Sequence, residues 1–90
     1  MRKRGRTDIH QTAIVRALRQ IGASVAVTSG LGGGFPDLVW SRAGRTGLME
    51  IKTGNEPLTE AEKAFHAKWA GDIAIVRGPE EAQLEVLKHA

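Results

Sequence analysis

Glycine and proline cut this chain into short pieces, and the cuts restrict it to small helices and strands in alternation. Breaks fall at Gly22, Ser29-Gly30-Leu31-Gly32-Gly33-Gly34, Ser41 to Arg45, Gly54-Asn55-Glu56-Pro57, Gly71 and Gly78-Pro79. Asp8 with Gln11 three residues on resembles a capping box. Ile9, Ala13, Ile14, Ala17, Leu18 and Ile21 then recur at helical spacing, which predicts an amphipathic helix over 8–21 that stops at Gly22. Ser24 to Thr28 is short and β-branched, hence a strand. Phe35 to Trp40 and Thr46 to Thr53 read as the second and third strands, close enough to form a hairpin. Along the third, Leu48, Glu50 and Lys52 share one face, and Met49 and Ile51 the other. Thr59 with Glu62 is a second capping box. Leu58, Ala61, Phe65 and Trp69 give the buried stripe of a helix ending near Gly71. Ile73 to Arg77 is a fourth strand. Pro79 suits the first turn of a last helix, where Glu80 and Glu81 complement the helix dipole. The predicted order is αβββαβα, in one domain spanning residues 1–90, with no repeats and no linker.

A chain of ninety residues buries only about 60–65% of its unfolded surface, so the core is modest. There is no cysteine, which excludes a disulfide framework and a thiolate zinc site. Added stability must come from packing or from a partner subunit, and a homodimer is expected. No apolar stretch approaches the roughly 20 residues of a membrane span. The basic start lacks the continuous apolar core of a signal peptide. A cytoplasmic protein without a membrane partner is therefore expected. The net charge of +3 and a pI near 9.8 suit a polyanionic partner. Arg2, Lys3, Arg4 and Arg6 cluster in a basic N-terminal arm over 1–7, which is either a phosphate-contacting arm or a solvated tail.

Two carboxylates and one lysine carry the chemistry. Pro36-Asp37 is followed thirteen residues later by Glu50-Ile51-Lys52, each group in or beside an apolar, strand-like run. On neighbouring strands they would form a small acidic cup with one cation. Phosphodiester cleavage needs a metal to neutralise the phosphate and acidify a water. It needs hard oxygen ligands to hold Mg²⁺, and a group to offset developing charge. Asp37 and Glu50 can supply the ligands, the carbonyl of Ile51 a further oxygen, and Lys52 the cation. Each half alone has a plainer explanation: Glu-x-Lys is common on solvated strand faces, and Pro-Asp is commonly a turn. Their combination, with the glycine-rich loop directly before Asp37, points to a metal site.

Gly34-Phe35-Pro36-Asp37-Leu38, Leu48-Met49-Glu50-Ile51-Lys52 and Pro57-Leu58-Thr59-Glu60-Ala61-Glu62 together resemble the PD-(D/E)xK nuclease superfamily, and within it the VRR-NUC domain (virus-type replication–repair nuclease). The resemblance runs from the first helix to the last. It implies an α/β fold with a restriction-endonuclease-like αβββαβα core, a central mixed β-sheet flanked by helices. It implies Mg²⁺- or Mn²⁺-dependent endonuclease activity on DNA, homodimers, and a preference for branched substrates such as four-way (Holliday) junctions, with no small-molecule cofactor. Asp37 and Glu50 would be metal ligands, and Lys52 would position or activate the water. Where the family carries a glutamate on the first helix, this chain has Gln11, with His10 beside it; an amide oxygen can hydrogen-bond a water at the metal but brings no charge. Where the family often has a glutamine early in the next helix, this chain has Glu62, which either faces the site or caps its own helix.

The loop glycines Gly32, Gly33 and Gly34 either let a DNA backbone approach, amides toward phosphate, or merely connect two strands. No Gly-Lys-Ser/Thr ends the loop, so it is not a P-loop, and Phe35 breaks a dinucleotide fingerprint. His10, His66 and His89 show no metal-ligand spacing; His66 reads as a surface residue. Trp40 and Trp69 fit a core or dimer contact, and so few aromatics make no stacking platform. The alternative to an enzyme is a non-catalytic DNA-binding module with a nuclease fold, and Gln11 is the feature that favours it.

Overall fold

The computed structural model describes residues 6–88, with side chains from Ile9 onward. The elements follow the expected order: α1 (Arg6–Gln20), β1 (Ser24–Val27), β2 (Leu38–Arg42), β3 (Arg45–Ile51), α2 (Glu60–Lys68), β4 (Ile73–Val76) and α3 (Pro79–Leu87). The strands form one open sheet in the order β1-β2-β3-β4. The first three are antiparallel neighbours, and β4 runs parallel to β3. Parallel neighbours require a crossover, and the segment carrying α2 provides it. The molecule is a small α/β domain with a mixed sheet. Among the described residues no helix is long and apolar enough to cross a membrane.

One sheet face carries the core. Leu38, Trp40, Met49 and Val76 pack beneath Ile14 and Leu18 of α1 and Val86 of α3. Strand alternation makes this face continuous: the register pairs Leu38 with Met49, and Trp40 with Gly47. The Trp40 ring lies on Gly47, where an added Cβ would stand 2.7 Å from the indole Cζ2. Only glycine leaves room for the indole at that cross-strand position.

Several boundaries and faces differ from expectation. The described part of the first helix already includes Arg6, so Asp8 lies within the helix and does not occupy the N-cap. Its buried residues are Ile14, Val15, Ala17 and Leu18, while Ile9 is 70% exposed. The second strand begins at Leu38 and extends to Arg42, leaving Phe35–Asp37 as an extended lead-in. That lead-in is tied to the end of β1: Thr28 N–H donates to the Asp37 carbonyl at 2.7 Å, and Thr28 Oγ1 to the Pro36 carbonyl at 2.8 Å. The third strand starts at Arg45, so the hairpin loop shortens to Ala43-Gly44, both at positive φ (54° and 81°). Two-residue hairpin turns commonly adopt this geometry. Lys52 lies one residue past β3 yet keeps the ladder, donating its N–H to the Val76 carbonyl at 3.0 Å.

The stripe expected to bury the second helix does not. No residue of α2 is buried, and Trp69 is 44% exposed. Phe65 and Trp69 instead stack with ring centroids 5.2 Å apart, and Phe35 meets Phe65 edge-on at 5.1 Å. The aromatics pack on one another beside the glycine loop. His66, expected at the surface, is half-buried, and its Nε2 is buried without a hydrogen-bond partner. His89 lies outside the described residues.

Candidate functional site

The hairpin register builds the site. Leu38 pairs with Met49, and one step further along the same register brings Asp37 opposite Glu50. Asp37 is fixed there by a backbone donor: its Oδ2 accepts the Ile51 N–H at 2.8 Å. Glu50 points away from the apolar core face, yet it is only 2% exposed. Burial first, then hydrogen bonding and repulsion from Asp37, and then Glu62, push its carboxyl up to about 9. Three carboxyl groups this close cannot all ionise beside one cation. The Oε1 of Glu50 is buried and has no hydrogen-bond partner.

Lys52 supplies that cation. It is 3% exposed, and its Nζ lies 2.6 Å from Glu62 Oε1, 3.5 Å from Glu56 Oε2 and 4.0 Å from Glu50 Oε2. Burial alone would lower its pKa, but hydrogen bonding to Glu62 and attraction to Glu62, Glu56 and Glu50 outweigh it, so the net shift is upward. Burial would raise Glu62, but the Lys52 hydrogen bond and the Thr59 amide hold it below the usual carboxylate value. Glu56 is lowered first by the Thr53 backbone N–H and also by Lys52, against a smaller opposing effect of burial.

These groups line a cavity of about 150 Å³ with His10, Gln11, Ile51 and Thr53. Hollows of about 650, 570 and 330 Å³ lie elsewhere. The first also holds Asp72, Glu85, Arg45 and Lys88, but there Asp72, Arg45 and Lys88 are exposed, whereas Glu50 and Lys52 of the cup are buried. The first helix thus delivers both His10 and Gln11 to the cup, and His10 Nε2 is buried without a partner. Among the described residues no group of three or more His, Asp or Glu is set to hold a metal ion by side chains alone. The donors that fit a hard divalent cation are Asp37 and Glu50 with the backbone of Ile51, and the unpartnered Glu50 Oε1 is an oxygen with no internal use.

Asp37, Glu50, Ile51, Lys52 and Gln11 therefore meet at one place. Gly32 and Gly33 do not: they are exposed, with open space where a Cβ would stand. Gly34 has a structural task. At φ 80° it presses against α2, and an added Cβ would meet the Ala61 carbonyl carbon at 2.5 Å. It thereby seats the helix that carries Glu62. Arg2, Lys3 and Arg4 lie outside the described residues, as does the side chain of Arg6.

Two further participants come from the start of α2 and the loop before it. Glu62 does both things weighed for it. Its Oε1 accepts the Thr59 N–H at 2.8 Å while its own N–H donates to Thr59 Oγ1, completing the capping box, and the same Oε1 holds Lys52. Glu56 gave no motif; only its place four residues after Lys52 hinted at a pair. Comparison with family models, with curated proteins and with solved structures finds no match to this chain.

Proposed function

We infer that the chain is a metal-dependent DNA endonuclease of the PD-(D/E)xK kind, with a VRR-NUC-like, restriction-endonuclease-like core and a homodimeric assembly. The observation that carries this reading is the meeting of Asp37, Glu50 and Lys52 in one cavity, across a hairpin register that sets the two carboxylates side by side. Mg²⁺ or Mn²⁺ held by Asp37, Glu50 and the Ile51 carbonyl would neutralise the scissile phosphate and acidify a water. Asp37 is held in position by the Ile51 amide and keeps its carboxylate turned to the cup. A bound divalent cation would favour the ionised form of Glu50, whose carboxyl is otherwise pushed upward by burial and its acidic neighbours. Lys52 stays charged and offsets negative charge developing on the phosphate. Gln11 hydrogen-bonds water or phosphate without adding charge.

A shape-directed substrate is proposed over a sequence-read one, because a basic surface that contacts phosphates carries no sequence information. Four-way DNA junctions are the substrate class proposed. The test is cleavage of a labelled junction with Mg²⁺ or Mn²⁺, beside linear duplex, flap and single-stranded DNA. Junction-selective cuts that vanish in Asp37→Ala are expected. DNA that is retarded but uncut would favour a binding module, the reading to which the uncharged Gln11 gives some support.

A further inference from the structure

The negative charge of this chain is segregated, which leaves its N-terminal part net positive. The first 36 residues hold six of its thirteen Lys and Arg but only one of its ten carboxylates, Asp8. Within the described side chains that excess falls on α1, whose exposed Arg16 and Arg19 line a groove of about 570 Å³ with Gln11, Thr12, Gln20 and Val27. Among the described side chains no carboxylate lines the groove. Gln11 lines both this groove and the acidic cup, so the two adjoin at that residue. Arg19 is set in place at the β1 edge, its Nη2 donating to the Val25 carbonyl at 3.1 Å. From Gln11 to Arg19 the helix rises about 12 Å, long enough to run beside more than one phosphate of a DNA strand.

We propose that this α1 groove is the track for the DNA backbone leading into the cup, with Arg16 and Arg19 on successive phosphates. The proposal rests on the nuclease reading and adds a surface that reading did not assign. An acidic cup repels a polyanion, so cationic residues beside it have to supply the affinity, and this groove places two of them on the helix that brings Gln11 to the cup. Contacts of this kind hold the backbone and carry no sequence information.

The test is the affinity of a short labelled DNA duplex across about 50 to 200 mM salt, with a chelator present so that cleavage does not intervene. Arg16 is exposed and Arg16→Ala should leave the melting temperature unchanged. It should lower the slope of log affinity against log salt by about 0.9, equally for unrelated sequences. Gln20→Arg, adding a cation to the same groove, should steepen the slope by a similar amount. Unchanged slopes in both variants, or no binding by the unmodified chain, would overturn the proposal. Junction cleavage with Mg²⁺ is followed in parallel: intact cleavage with unchanged slopes overturns the groove alone. Altered slopes without any cleavage overturn the nuclease reading and leave the groove standing.

Discussion

Lys52 Nζ and Glu62 Oε1 lie 2.6 Å apart, and the same glutamate oxygen accepts the N–H of Thr59. One side chain thus links the start of α2 to a lysine that is almost fully buried at the end of β3. Helix placement and charge balance in the cup are therefore coupled. Glu62→Ala should cost about 2–4 kcal/mol, combining a lost cap with a buried cation deprived of its main partner. Glu62→Gln keeps an acceptor for both donors and should cost clearly less. Urea unfolding of the two variants checks this; equal losses would mean that charge, not hydrogen bonding, links them.

Lys52→Ala should lower cleavage by at least about 100-fold, the scale of losing a charge-stabilising donor, while DNA affinity stays near that of the unmodified chain. Lys52 is buried beneath the acidic rim and is not part of the basic surface. An equal fall in affinity and cleavage, measured by retardation and by product formation, would contradict the role given to it.

Stability should fall with rising pH because of Glu50. Its folded value is about 9 against an ordinary 4.5, so between these values the folded chain holds a proton that the unfolded chain has lost. The contribution is full below the ordinary value and is lost as pH rises through about 9. Glu56 and Glu62 are shifted downward, so their contributions are present above the ordinary carboxylate value and are lost only in acid. Glu50→Gln should therefore gain on the unmodified chain progressively as pH rises from the ordinary carboxylate value toward about 9. Thermal melts across that range read the difference, and parallel curves would contradict it.

Ala43 occupies the left-handed region, φ 54°, in the two-residue hairpin turn. A side chain costs roughly 1 kcal/mol there. Ala43→Gly or Ala43→Asn should raise stability by about 0.5–1 kcal/mol without touching the cup, as denaturant midpoints would show. A loss in both variants would mean that the turn is not strained.

The order of elements was legible because glycine and proline mark nearly every break, and the pairing of Asp37 with Glu50 was legible once those two strands formed a hairpin. The α2 stripe was misread because Phe35, Phe65 and Trp69 satisfy one another near the surface, and helical spacing does not reveal what a stripe packs against. Glu56 was invisible for a different reason. Its loop is shaped from far along the chain, by Arg77 Nη1 donating to the carbonyls of Gly54 at 2.7 Å and Glu56 at 3.0 Å. Glu62 was seen as a cap, but local spacing alone did not show that the same oxygen reaches Lys52.

The central claim is that Asp37 and Glu50 form a divalent-cation site, and titration calorimetry with Mn²⁺ tests it most directly. The unmodified chain should bind Mn²⁺ saturably with release of a proton, and Asp37→Ala should abolish the binding while remaining folded. No Mn²⁺ binding with or without DNA, or equal binding in Asp37→Ala, would contradict the account.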